Sequence, residues 1–462
     1  MKKLLMLCLL IISFSCDKSS DAIEEEVITM EDPVDVVSNT IINAGDVSDI
    51  SIFDSKPYFQ DDAGYNGSEL TNLPPERIVT FTHVDGLSDT EELEKIIDEL
   101  SANGGGKITI VSGNYTFRDV LLKSNVHITI ESNTVIKLEK QNEGRNARNG
   151  FRYFFALSGK EVGQPLENVR IVGLGTPDTR PKLIVEKFNE PWGPAFSRAI
   201  AFGYVKNALI ENLTIEDNYT LGAALAFNPV DLNDDGETAQ MAENVTIANV
   251  SLSKASVGYG LVQTNVGKNL LLKNLSCQGG MTCRIESHTG RKFDIGVSNI
   301  VVKNVASING KAAVLLQPHS VLNGRILVDI AKSEGSSWTL FLKEGFVGPD
   351  SKRRLKGDFA ESSKFTNISL ASTDDTATLS FKNLSFIPAN IKPLYNAPNY
   401  VFITDDANHK IDADGKPGRE SPIVGPSIAV VYNDATYPLN LPSENDLIVS
   451  GETENRLKLL KR

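Results

Sequence analysis

Asn269-Leu270-Leu271-Leu272-Lys273-Asn274-Leu275 and Asn299-Ile300-Val301-Val302-Lys303-Asn304-Val305 are one phrase written twice, 30 residues apart. Looser copies precede them: Asn125-Val126-His127-Ile128, Asn168-Val169-Arg170-Ile171, Asn207-Ala208-Leu209-Ile210-Glu211-Asn212-Leu213 and Asn244-Val245-Thr246-Ile247-Ala248-Asn249-Val250. Each joins an asparagine suited to a turn to a stretch that alternates apolar and polar residues, the period of a strand. The last three copies start 25 and 30 residues apart, a spacing that suits one coil of a β-solenoid with a loop of variable length. A β-sandwich would give turn signals every 8–12 residues without the phrase returning. The expected fold is therefore all-β: a right-handed parallel β-helix of the pectin-lyase-like kind, over residues 76–390.

Outward from that core, Ser88 and Glu91 form a candidate capping box ahead of Leu93, Ile96, Ile97 and Leu100 at helical spacing, and Gly104-Gly105-Gly106 ends the run. A helix here would close the N-terminal end of the coils. Residues 17–75 are polar and acidic and read as a tether and loose lead-in. Residues 391–462 lose the phrase and read as a cap or an appended segment. Met1-Lys2-Lys3 followed by Leu4–Ile12 is the charged and apolar start of an export signal over residues 1–15, too short to span a membrane once mature. Ser13-Phe14-Ser15-Cys16 reads as a loose lipobox with Cys16 lipidated, or as an ordinary cleaved signal with an incidental cysteine. The expected location is accordingly the outer membrane at the cell surface, or the medium.

Formal charge is −13, and removing Lys2 and Lys3 with the leader takes it to −15. That balance argues against nucleic acid as a partner. It would also repel a polyanion unless basic residues gather in one groove. The remaining cysteines, Cys277 and Cys283, are expected as small buried hydrophobes rather than a bridge. A monomer is expected.

Chemistry concentrates in Cys283-Arg284-Ile285-Glu286-Ser287-His288. On a strand, alternate side chains share a face, so Arg284, Glu286 and His288 should face one way, and Cys283, Ile285 and Ser287 the other. Coils stack about 4.8 Å apart, so a site can be assembled from residues one period apart. Gln263, His319 and Lys343 or Glu344 are expected in a column with Glu286. Glu286 and His288 lie two residues apart, roughly 6.6 Å between Cα atoms. That falls inside the window of about 6.5–9.5 Å between acid and base in inverting glycosidases.

Tyr259-Gly260-Leu261-Val262-Gln263, Gly279-Gly280-Met281-Thr282-Cys283-Arg284-Ile285-Glu286, Gln317-Pro318-His319 and Lys343-Glu344-Gly345-Phe346, in that order, resemble the iota-carrageenases, glycoside hydrolase family 82. The motifs cover about residues 255–350, and the helix-then-coils layout extends the likeness back to about residue 85. The resemblance implies a secreted β-helix enzyme that cleaves β-1,4 bonds of a sulfated galactan with inversion. It implies Glu286 as general acid, its pKa raised, Gln263 near a chloride and the catalytic water, and His319 in substrate binding. Arg284 would suit a sulfate as a charged fork; Lys343 and Lys254 are further substrate-binding candidates. The sequence departs from the family at the base: an Asp is usual two positions after the acid, and His288 stands there. A neutral imidazole can accept a proton, and Glu344 and Asp294 are alternatives. Arg145, Arg148 and Arg152 could meet sulfates, and Trp192 could stack on a sugar. Asp231-Leu232-Asn233-Asp234-Asp235-Gly236 matches the first half of a calcium loop, with Ala242 in place of the bidentate glutamate; it reads as a structural Ca²⁺ site or as a hydrated loop. Two other functions remain open: a polysaccharide lyase on an anionic polymer, and a non-catalytic carrageenan-binding lipoprotein.

Overall fold

In this computed structural model, residues 49–51, 53, 73–139, 152–185, 197–218, 220, 222–256 and 258–371 are described, with strand segments 377–380, 422–425, 428–432, 447–450 and 459–461. The leader, Cys16, Arg145, Arg148 and Trp192 lie outside them. The chain winds as a right-handed parallel β-helix, the fold expected from the repeat. Through its centre two sheets alternate: β1 Val205–Glu216, β2 Leu225–Phe227, β3 Glu243–Ser253, β4 Gly260–Thr264, β5 Gly267–Gln278, β6 Met281–Glu286, β7 Val297–Ile308, β8 Ala312–Gln317, β9 Ile326–Glu334 and β10 Trp338–Leu342. Odd-numbered strands follow one another in one sheet and even-numbered strands in the other, all in parallel register. Strands from the last 70 residues continue both sheets: Ile428–Tyr432 pairs with β10, and Leu447–Ser450 pairs with Lys364–Ala371.

The recurrent asparagines explain the repeat. Asn125, Asn168, Asn207, Asn244, Asn269 and Asn299 all sit at φ between 53° and 60°. That left-handed bend costs most residues 1–2 kcal/mol or so, and asparagine tolerates it. Because the amide both donates and accepts, equivalent asparagines also bond along the axis. Asn269 Nδ2 donates to Asn244 Oδ1 at 2.8 Å, and Asn299 Nδ2 to Asn269 Oδ1 at 2.8 Å. A second ladder runs through Asn249, Asn274 and Asn304, at 2.9 and 2.8 Å. Asn269→Ala removes the amide that eases the left-handed bend and breaks both axial bonds. The expected cost is about 2–4 kcal/mol, read as a fall in the denaturant midpoint. Asn269→Gly keeps the bend and should lose roughly half as much.

Between the sheets the core is stacked in register: Val245, Leu270, Ile300 and Ile326 on one level, Ile247, Leu272, Val302 and Val328 on the next, all buried. Cys277 and Cys283 are buried, unpaired thiols, as expected. Helix α1, Asp89–Ala102, begins where the capping residue Ser88 accepts the Glu91 N–H and buries Leu93, Ile97 and Leu100 against the first coils. One feature of the lead-in is structural: Ile50 and Phe53 cover the outward residues Leu271, Val301 and Leu327, and Lys273 Nζ donates to Phe53 O at 2.6 Å.

Candidate active site

The alternation in β6 falls as the sequence predicts. Cys283 and Ile285 enter the core, and Arg284 and Glu286 face away from it. Glu286 ends the strand and is only 1% exposed. Three neighbours account for a buried carboxylate here. Gln263 Nε2 donates to Oε1 at 2.6 Å. Arg284 is ion-paired with it, NH2 donating to Oε2 at 3.1 Å and Nε standing 2.8 Å from Oε1. His319 Nε2 stands 3.6 Å from Oε2. Arg284 is itself fixed by NH1 donating to Gly258 O at 3.0 Å, with its guanidinium carbon 5.9 Å from the Tyr259 ring centre.

The expected column is rearranged by register. Gln263 pairs with Arg284, not with Glu286, and its amide crosses diagonally to the carboxylate. Gln317 is the residue level with Glu286 on the next coil. His319 stands beyond the end of β8, in a turn at φ 53°, and packs on Phe346 with ring centres 4.6 Å apart. His288 also follows its strand rather than belonging to it, and meets His319 edge-on at 5.1 Å. Between these rings lies a residue the sequence reading missed. Arg291, in the 3₁₀ turn Gly290–Lys292, is buried and places NH1 2.9 Å from His288 Nδ1 and 3.1 Å from His319 Nδ1. Its Nε donates to Asp350 Oδ1 at 2.7 Å.

Electrostatics follow from these contacts. Burial alone would push Glu286 up, but the Arg284 charge, His319 and His288 outweigh it and hold the carboxyl well below its usual range. This corrects the expectation of a raised value: the resting carboxylate is ionised. Burial lowers His288 to about 4, with Glu286 opposing and Arg291 adding to the fall. His319 is lowered for the same reason, burial first, partly offset by Glu286. Both rings are neutral at pH 7.

The remaining candidates divide. Lys343 is half-buried beside this group: its charge acts on His319, and its Nζ lies 5.9 Å from the Phe341 ring centre. Glu344 is ion-paired with Lys356 at 3.2 Å, and Asp294 has Arg353 and Lys352 as its charged neighbours. Lys254 is paired with Glu216 at 2.6 Å, on the other sheet's margin, and Arg152 with Asp119 at 2.7 Å. The Asp231–Gly236 segment forms a tight turn. Asp231 and Asp235 spend their carboxylate oxygens on the backbone N–H groups of Asp235, Gly236, Glu237 and Thr238. Among the described residues no group of three or more His, Cys, Asp or Glu is placed to hold a metal ion. The Gln263 amide has a second N–H beyond the one donated to Glu286, and its residue is level with Arg284 on the next coil.

A buried carboxylate held by a carboxamide and a guanidinium, with an imidazole beside it, thus sits on the outward face of the stacked coils of a parallel β-helix. No known family profile matches the chain. Its sequence is similar to two iota-carrageenases. That of Zobellia galactanivorans is 31% identical over 271 residues, 57% of this chain and 51% of the relative; that of Alteromonas macleodii is 28% identical over 301 residues, 61% and 56%. The chain thus spans about half the length of the curated relatives it matches. Solved iota-carrageenases share the fold. One complexed to iota-carrageenan fragments superposes with a TM-score of 0.67 at 20% identity, covering 85% of this chain and 92% of that one. A family GH82 iota-carrageenase from A. fortis gives 0.66 at 22% identity, covering 85% and 90%. The resemblance read from the motifs therefore holds in both sequence and fold.

Proposed function

We propose that the chain hydrolyses iota-carrageenan, cutting β-1,4 linkages within the polymer with inversion, and that Glu286 protonates the leaving oxygen. The observation that carries this reading is the buried Glu286 carboxylate under Gln263 and Arg284, in a chain similar to proteins named iota-carrageenase. A general acid must carry a proton when it acts, whereas the resting carboxyl is ionised. A sulfated substrate resolves the conflict. A sulfate drawn to Arg284 competes with Glu286 for the guanidinium, weakens the lowering contact, and leaves burial to raise the carboxyl pKa. Binding and protonation are thereby coupled, and only a sulfated glycan arms the acid.

Reducing-sugar release from iota-, kappa- and lambda-carrageenan tests the substrate. Anomer analysis of the first product tests inversion, and viscosity loss against reducing ends tests internal cleavage. Release from kappa- or lambda-carrageenan alone would reject the substrate. A second reading has one specific support: His288 replaces the family Asp, and its Nδ1 faces Arg291 at 2.9 Å. A glycan-binding protein without turnover would be retained on carrageenan gels yet release no reducing ends.

A further inference from the structure

Arg291 joins two imidazoles to one carboxylate. Its NH1 faces Nδ1 of His288 at 2.9 Å and Nδ1 of His319 at 3.1 Å, while Asp350 holds Nε at 2.7 Å. The seat is built for it: a β-carbon on Gly348 would stand 3.1 Å from the guanidinium carbon and Nε, and Lys352 N donates to the Arg291 carbonyl at 2.9 Å. A guanidinium carries only N–H donors and does not lose its proton in proteins. A ring nitrogen facing it at hydrogen-bond distance must present a lone pair, so each neutral ring carries its proton on Nε2.

We propose that Arg291 is a positioning residue that fixes His288 and His319 together as Nε2–H tautomers, so that the site offers imidazole N–H groups to a bound glycan and no imidazole lone pair to a water. His319 Nε2–H then faces Glu286 Oε2 at 3.6 Å, beyond direct hydrogen-bond reach, and presents the carboxylate a proton in place of a lone pair. His288 becomes a donor to hydroxyl or sulfate oxygens and not the general base that its place in the motif suggests. Arg284, Arg291, Glu286 and His319 are the charged and titratable groups around His288, and Lys343 adds its charge at His319. The functional part rests on the hydrolase reading; the tautomers do not.

Long-range ¹H–¹⁵N correlation spectra of the full chain, labelled at its histidines, decide the question at pH 7. The chain has five histidines, so single substitutions assign them. His288 and His319 should each show a protonated Nε2 and an unprotonated Nδ1. Arg291→Met should move one or both rings toward a mixture of tautomers, and Arg291→Lys, which keeps a donor, should restore part of the wild-type pattern. If Arg291→Met does not fold, Asp350→Asn, which releases the guanidinium from its anchor, should weaken the preference. An Nδ1–H tautomer at either ring of the wild type, or a pattern untouched by these substitutions, overturns the proposal. Kinetics add a second readout: His288→Gln should raise KM with kcat changed less than about 10-fold, where loss of a base costs about 10²–10⁴-fold in kcat. Absent hydrolysis with the tautomers as stated would reject the hydrolase reading alone. Hydrolysis with an Nδ1–H His288 would reject this inference alone.

Discussion

Glu286→Gln should lower kcat on iota-carrageenan about 10²–10⁴-fold while leaving the coil intact and the glycan still bound, because the loss of one general acid is confined to the transition state. The amide keeps the side chain's shape and an acceptor for the Gln263 N–H. It removes an anion from beneath Arg284, which leaves that guanidinium to the substrate. Affinity for a sulfated oligosaccharide is therefore expected to hold or rise. Reducing-end assays beside calorimetric titration with an oligosaccharide separate the two effects. A variant that keeps more than about a tenth of the wild-type rate would remove Glu286 from the acid's role. In wild type the proposed competition for Arg284 predicts proton uptake on binding, seen as a binding heat that changes with the ionisation enthalpy of the buffer.

Arg284→Met is expected to destabilise the fold by about 3–5 kcal/mol at neutral pH, since it strips the cation from a carboxylate that is almost wholly buried. The pH dependence fixes the sign. In wild type the folded-state pKa of Glu286 is depressed, so its contribution is present above the unfolded carboxyl pKa and is lost as pH falls through the folded value. Without Arg284, burial is the dominant influence and the folded pKa rises above the unfolded one. The variant's protonated carboxyl is then compatible with folding below the unfolded pKa, and stability falls as pH climbs through the raised folded value. The gap between the two proteins should accordingly narrow as pH is lowered. Denaturant melts at several pH values measure this; a constant gap would mean that the Arg284–Glu286 pair contributes no linkage.

Much of this was legible in the chain because local rules coincide with the fold. An asparagine that tolerates the left-handed bend, followed by alternating residues, marks each coil, and the same alternation places Arg284 and Glu286 outward and Cys283 and Ile285 inward. Counting periods placed Gln263 near Glu286. Register then put it level with Arg284 instead, because the loops between coils vary and strand pairing cannot be counted through them. Arg291 could not be found this way. It belongs to a turn, whose side-chain directions follow no period, and its partner His319 comes from the next coil. A basic residue three positions beyond the motif's histidine was the one signal available, and it carries little weight without the turn geometry. The direction of the Glu286 shift was likewise hidden, since it depends on whether Arg284 lies on the carboxylate or beside it.

The strap formed by Ile50 and Phe53 bears on how the protein carries load. It grips the flank of the solenoid at Leu271, Val301 and Leu327, some way along the chain from the first coil strand at Ile78–Phe81. Tension applied upstream of residue 49 would meet that grip before it reached the end coil. Three neighbouring rungs would then share the pull sideways, as a rivet does, and the end coil would be spared from unzipping. The rungs so riveted, β5, β7 and β9, wind in the same turns as β6, β8 and β10, which carry Glu286, Gln317 and the approach to Lys343. A pull on the chain upstream of residue 49 would thus be resisted at the height of Glu286.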